Sequence, residues 1–176
     1  EIGKRAKQYG LKLIVDFHYS DFWADPSKQM CPKAWQGMDI ETKANSLYEY
    51  TKDCLIKLKD NKIDICIANA ENSLHGLGVS PKIIDELFNS GVDAITLGNH
   101  TFSGTDFIRS ATNYSNVVVP ANVSSKWPGN RFAVIEKNGI KLAVFNLLGQ
   151  VDMGMFCDSP FEKAQELLTA VSRFSA

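Results

Sequence analysis

The sequence has no long hydrophobic run, no block of like charge and no closely spaced pair of cysteines. No apolar stretch approaches the roughly 20 residues of a membrane-spanning helix, so we expect no membrane partner. The 19 basic and 20 acidic residues are mixed along the chain, which argues against a nucleic-acid partner. The four cysteines lack a C-x-x-C spacing, so neither a zinc knuckle nor a disulfide framework is predicted. The chain opens on Glu-Ile-Gly-Lys-Arg rather than on a secretory leader, and we expect a cytoplasmic protein.

Histidine is also scarce, with three residues in a chain of 176. His75 precedes a glycine in a predicted loop and is interpreted as a solvated loop residue. Hydrophobic residues, in contrast, make up 44% of the sequence. At this length they are enough to build the core of an ordinary globular domain.

Apolar runs alternate with helical patterns along the chain. Asp39 is predicted to cap a helix that carries Leu47 and Leu55 at helical spacing. Asn138 and Gly139 predict a two-residue turn between antiparallel strands. Further predicted elements are strands at 63–69, 93–98, 117–119, 131–136 and 140–147, and helices at 81–90, 104–112 and 160–171. This alternation predicts an α/β fold with a mostly parallel sheet flanked by helices.

The strand predicted at 93–98 ends in a sequence typical of a functional site. Gly98 frees the backbone at the strand tip, and Asn99 and His100 follow it directly. Asn99 can offer an uncharged oxygen to a hard cation, and His100 can bind a metal or move a proton near neutral pH. An asparagine or histidine here is also compatible with a simple turn.

A second predicted strand ends in the same way. The apolar run 63–67 leads into Ala-Asn-Ala-Glu-Asn, which places Glu71 and Asn72 just beyond the strand. The carboxyl ends of neighbouring parallel strands meet at one edge of a sheet. We therefore expect these two residues to face the same crevice as Asn99 and His100.

Residues 61–173 resemble the YmdB-like metallophosphoesterases, calcineurin-like phosphodiesterases that act on cyclic nucleotides. The matching segments are 65–72, Gly76-Leu-Gly78, Pro81-Lys-Ile83, 91–101, Pro120-Ala-Asn122, Pro128-Gly129, 146–149 and Asp158-Ser-Pro-Phe161. The resemblance implies a partial calcineurin-like sandwich, with Glu71, Asn72 and Asn99 as metal ligands and His100 as the acid for the leaving oxygen. It also implies divalent metal ions, Mn or Fe and up to two of them, and a small phosphodiester substrate such as a cyclic nucleotide.

The resemblance is incomplete, so we expect a site with only part of its metal ligands. The family pattern begins with a metal-binding Asp in a Gly-Asp-Val-like turn and later adds three histidines that have no counterpart before Ala176. Gln150 stands where the family usually has Arg. We therefore expect metal affinity and phosphodiesterase rate far below those of a complete enzyme.

Residues 1–60 resemble a different family, the arabinogalactan endo-β-1,4-galactanases of glycoside hydrolase family 53, which are (β/α)8 barrels. The matching segments are Lys4-Arg-Ala-Lys7, 16–26, Lys28-Gln29, 32–37 and Tyr50-Thr-Lys-Asp53. The resemblance implies that Asp16, His18, Asp21 and Trp23 are galactan-binding residues at a barrel strand end. Both catalytic glutamates of that family lie on later strands, so we expect no galactan hydrolysis. Trp23 is also compatible with packing beneath the loop, the interpretation that we favour over sugar stacking.

The sequence thus predicts two segments, 1–60 derived from a galactanase-like barrel and 61–176 from a YmdB-like metallophosphoesterase. Three functions remain open: metal-dependent phosphodiesterase, endo-β-1,4-galactanase, and an inactive fusion of two truncated enzymes. A further alternative places Asp16 and His18 on one side of the first strand, where an Asp-x-His pair is a metal motif of the wider metallophosphoesterase superfamily. Whether the chain is an enzyme is left to experiment.

Overall fold

The computed structural model describes residues 5–6, 8–10, 30–60, 64–74, 77–151 and 154–174. The chain divides into two compact units, Glu1–Cys66 and Ile67–Ala176. None of the helices in these described ranges is both long enough and apolar enough to cross a bilayer.

The described part of the first unit is dominated by one helix, α1, at Ile40–Asp60. Asp39 caps it as predicted, because its Oδ1 accepts a hydrogen bond from the Thr42 backbone N–H at 2.8 Å. Leu55 on this helix is 1% exposed. A short 3-10 helix at Lys33–Trp35 precedes α1.

The second unit contains the predicted parallel sheet, in the order β1-β2-β3. Its strands are β1 at Ile67–Asn69, β2 at Ala94–Thr96 and β3 at Val117–Val118. Both strand pairs are parallel, and Asn69 at the end of β1 lies opposite Thr96 at the end of β2. All three strands therefore end at the same edge of the sheet.

Helices flank this sheet, as predicted. They are α2 at Pro81–Asn89, α3 at Thr105–Ser110 and α4 at Pro160–Ser172. The Ser80 hydroxyl accepts a hydrogen bond from the Ile83 N–H and Pro81 is the first helical residue, the arrangement expected at a helix start. Gly91 ends the turn after α2 with a φ of 100°, which favours glycine.

An antiparallel hairpin follows, with β4 at Phe132–Lys137 and β5 at Ile140–Phe145. Asn138 and Gly139 form its turn with positive φ angles of 54° and 74°, which confirms the prediction from the Asn-Gly pair. Lys137 at the end of β4 forms an ion pair with Asp93 just before β2, at 2.6 Å. The hairpin is thereby tied to the parallel sheet.

The core of this unit lies between the parallel strands and the helices that cover them. Its fully buried side chains include Ile84, Ile95, Leu97, Phe107 and Val118. Each such side chain contributes about 1.5–3 kcal/mol relative to an exposed one. This core holds the strand ends in place.

Candidate functional site at the strand ends

The first strand end contributes an acidic residue. β1 ends at Asn69, Ala70 is buried, and Glu71 and Asn72 follow in a turn. The Asn69 side chain orders this turn, since its Nδ2 donates to Thr96 Oγ1 at 3.2 Å and its Oδ1 accepts from the Glu71 N–H at 3.3 Å. Glu71 is half-buried, whereas Asn72 is exposed.

The second strand end, at Gly98, leaves space for the Glu71 side chain. A β carbon built on Gly98 would lie 1.2 Å from Glu71 Oε2 and 2.3 Å from Glu71 Cδ, which no structure tolerates. The Glu71 carboxylate thus occupies the place where any other residue at position 98 would have its side chain. The two predicted motifs therefore lie in direct contact, although 27 residues separate Glu71 from Gly98 in the sequence.

The loop after β1 and the loop after β2 also come close to each other through their backbones. A β carbon on Gly78 would lie 3.1 Å from the His100 carbonyl oxygen, and Gly78 has a φ of 80°. The Leu74 N–H donates to the Gly78 carbonyl at 3.0 Å, which closes the loop after β1. Glycine at position 78 therefore permits a close approach of the first loop to the second.

Burial raises the pKa of the Glu71 carboxyl above its ordinary value, and the charge of His100 partly opposes this effect. Among the described residues, no lysine or arginine forms an ion pair with Glu71. A half-buried carboxylate that no described lysine or arginine neutralises is well placed to bind a cation.

Asn99 and His100 contact each other through their side chains. Asn99 Nδ2 lies 3.3 Å from His100 Nε2, so the amide nitrogen can donate to the imidazole. The amide oxygen is then the atom that can bind an ion. Both side chains are half-buried.

Two asparagine side chains, the buried Asn122 and the half-buried Asn146, hold the neighbouring loops. Asn122 is fully buried, and its Nδ2 donates to the Leu148 and Asp158 carbonyls at 2.8 and 2.9 Å. Its Oδ1 accepts from the Leu148 N–H at 2.9 Å. Asn146 donates through Nδ2 to the Leu97 carbonyl, next to Gly98. These bonds fix the segment after β5 against the end of β2.

The side chains at the strand ends fit part of a divalent-metal site. Carboxylate and amide oxygens are the ligands that hard cations prefer, and an imidazole adds a nitrogen donor. Within the described ranges, however, no three His, Cys, Asp or Glu side chains are close enough together to hold an ion. Glu71, Asn99 and His100 are the side chains at these strand ends that could contribute ligands to a metal ion.

The sequence motifs located the polar residues of the two strand ends but missed two contributors. The role of Gly98 as a space for the carboxylate depends on the strand register, and the role of Asn69 depends on a bond to Thr96. The galactanase-like candidates Asp16, His18, Asp21 and Trp23, together with His75, lie outside the described residues. Their roles stay predictions.

Comparison with known proteins supports both resemblances. The family model for YmdB-like proteins matches residues 43–175. The chain is 37% identical over 126 residues to the 2′,3′-cyclic-nucleotide 2′-phosphodiesterase of Bacillus subtilis, covering 71% of this chain and 47% of that protein. It is 36% identical over 153 residues to the endo-β-1,4-galactanase of the same organism, covering 82% of this chain and 32% of that protein.

A solved structure supports the fold. A novel phosphatase from Mycoplasma pneumoniae is similar with a TM-score of 0.62 and 32% identity, over 70% of this chain and 46% of that one. This similarity confirms the predicted α/β fold class. The chain spans about half the length of the phosphodiesterase and about a third of the galactanase. The family model begins at residue 43, before the predicted boundary at 60–61, so that boundary remains a proposal.

Proposed function

Because the chain belongs to the YmdB-like protein family, we propose that it carries part of a metal-dependent phosphodiesterase site of the cyclic-nucleotide type. The observation that carries this proposal is the Glu71 carboxylate seated against Gly98, beside Asn99 and His100. The 2′,3′-cyclic-nucleotide 2′-phosphodiesterase of B. subtilis suggests the substrate class.

Each residue at the strand ends has a role in this proposal. Glu71, Asn72 and Asn99 would hold divalent metal, Mn or Fe and up to two ions, through oxygen atoms. Such metal supplies charge stabilisation and an activated water for attack on phosphorus. His100 lies beside Asn99 and would donate a proton to the leaving oxygen as its bond to phosphorus breaks.

The test is metal-dependent hydrolysis of bis(p-nitrophenyl) phosphate and of 2′,3′-cyclic AMP by the 176-residue chain. We expect a slow rate that requires Mn²⁺ and is lost in Glu71→Gln. The matched control is Glu136→Gln, which changes an exposed carboxylate on β4 and should leave the rate unchanged. Hydrolysis that persists in Glu71→Gln would contradict the proposal.

Calorimetry with Mn²⁺ tests whether the site is incomplete. We expect weak binding, because several protein ligands are needed for each ion of a two-metal site. Tight binding of two equivalents would show that the set is complete and would make Asp16 and His18 the leading candidates for the added ligands. Asp16→Asn would then test whether Asp16 is a metal ligand, because it keeps the shape of the side chain and removes the charge.

Galactan hydrolysis is the competing function suggested by the galactanase similarity. We expect none, and release of reducing ends from galactan provides the assay. Activity that is abolished by His18→Ala would establish the galactanase function instead. The third possibility, an inactive fusion, predicts that neither substrate is turned over.

A further inference from the structure

An aromatic pair lies on the loops beyond the parallel sheet. The rings of Phe102 and Trp127 are stacked, with centroids 4.3 Å apart and planes 28° from parallel. Phe102 is half-buried, but 40% of Trp127 is exposed. Phe102 therefore stacks on one face of an indole whose residue remains substantially exposed to solvent.

The pair lies at the same sheet edge as the candidate site. Phe102 is two residues beyond His100, so their Cα atoms are at most about 7.6 Å apart. Trp127 lies on the loop that follows β3, and β3 runs parallel to β2. Loops that follow parallel strands leave the sheet at one edge, so both aromatic residues lie on the side of Glu71 and Asn99.

The loop that carries Trp127 is held by its main chain. Arg131 Nη2 donates to the carbonyl oxygens of Ser124 and Trp127, both at 2.8 Å. The Trp127 N–H donates to the Ser124 carbonyl at 3.1 Å. Because these bonds use the backbone of Trp127, the loop geometry does not depend on the indole. The partly exposed Trp127 is therefore carried on a preorganised loop.

We propose that the Phe102–Trp127 pair is a stacking platform for the nucleobase of the substrate. This inference rests on the proposed function and specifies its substrate as a phosphodiester that carries a base. A base presents a flat π face that stacks well on an exposed aromatic ring. The base and the phosphate share one ribose, so a base-binding surface must lie close to the phosphate site, and Phe102 follows His100 by two residues.

The test uses three ligands that divide a nucleotide into its parts: 2′,3′-cyclic AMP, adenosine, and ribose 5-phosphate. Binding is followed by calorimetry and by the indole N–H signals of ¹⁵N-labelled protein, with the Trp127 signal assigned from Trp127→Phe. We expect adenosine and cyclic AMP to shift the Trp127 signal. Ribose 5-phosphate should leave it in place.

Variants of Trp127 then distinguish a loss of base stacking from a general effect on the fold. Trp127→Ala should weaken the binding of cyclic AMP and adenosine roughly 5- to 100-fold without changing ribose 5-phosphate binding, at a temperature at which circular dichroism shows the variant to be folded. Trp127→Phe keeps an aromatic face and should retain most of the affinity. The control Trp35→Phe, in the first unit, should have no effect.

Three outcomes would contradict the proposal that the pair is a stacking platform. Adenosine could bind without shifting the Trp127 indole signal, or Trp127→Ala could weaken the binding of all three ligands equally. The third outcome is that adenosine does not bind at all. Failure of the proposed function is a separate result, since it leaves adenosine stacking intact while Mn²⁺-dependent hydrolysis is absent.

Discussion

The ends of β1 and β2 lie side by side yet contribute opposite things to the candidate site. The β1 end supplies charge, in the half-buried Glu71 carboxylate. The β2 end supplies room and further polar groups, with Gly98 leaving a space for that carboxylate and Asn99 and His100 following Gly98 directly in the sequence. Neither end is a site by itself.

This difference shows that a residue without a side chain can be as important to a polar site as the residue with the charge. Replacing Glu71 removes the carboxylate, whereas replacing Gly98 leaves the carboxylate in the chain but moves it. The two kinds of change should therefore differ in their effects on metal binding, stability and pH dependence.

The largest effect is expected from Gly98→Ala. The added methyl would overlap the Glu71 carboxylate, but that carboxylate is the far end of a flexible side chain and can rotate away. We expect folding to survive with a loss of stability at or below the roughly 1–3 kcal/mol of an overpacked site. Mn²⁺ affinity, measured by calorimetry, should fall by at least the roughly 10–100-fold typical of losing a supporting residue.

Gly149→Ala is the matched control for this change. A β carbon on Gly149 has no neighbouring atom within 4 Å, and its φ lies outside the range that favours glycine. We expect unchanged Mn²⁺ affinity in this variant. Equal affinity in the wild type and in Gly98→Ala would show that the position of Glu71 is irrelevant to the metal.

A smaller and pH-dependent effect is expected from Glu71→Gln in the metal-free chain. Burial raises the pKa of Glu71, so the native state holds its proton more tightly than the unfolded chain. The stability that this contributes is present below the ordinary pKa of 4.5 and is lost as the pH rises through the raised value. Glutamine resembles the neutral carboxyl at every pH, so the Glu71→Gln variant does not lose this stability as the pH rises.

Thermal melts in a chelator should therefore show Glu71→Gln gaining stability relative to wild type as the pH rises above the ordinary pKa of 4.5 towards the raised pKa of Glu71. Added Mn²⁺ should reverse the order, because it stabilises only the wild type. A glutamine variant that becomes relatively less stable as the pH rises would mean that the native carboxylate is favoured in its charged form. Glu136→Gln serves as the exposed control.

The sequence predicted much of this arrangement from local patterns. The polar residues after the apolar runs marked both strand ends, and Asn138-Gly139 and Asp39 marked a hairpin and a helix start. Strand lengths were less predictable: a strand was expected at 63–69, but within the described residues 64–69 only Ile67–Asn69 pair with β2. A pattern of apolar residues contains no information about the length of a partner strand.

The contact between Glu71 and Gly98 could not be predicted for a related reason. It depends on the register that places Asn69 opposite Thr96, and register is set by packing between elements distant in sequence. The stacking of Phe102 on Trp127 likewise joins two loops that no local pattern connects.

The smallest effect is expected from Asn69→Ala, which tests how firmly the β1 end is aligned with the β2 end. Asn69 bonds both Thr96 Oγ1 and the Glu71 N–H, at 3.2 and 3.3 Å, but its side chain is exposed. We expect a loss of about 0.5–1.5 kcal/mol in the free energy of unfolding, measured in urea. Mn²⁺ affinity should fall less than in Gly98→Ala, because the carboxylate keeps its space. Thr96→Val removes only the bond between strands, so the double variant reports whether Asn69 acts through Thr96. If Asn69→Ala reduced Mn²⁺ affinity as much as Gly98→Ala does, the turn at Glu71, rather than the space at Gly98, would be what positions the carboxylate.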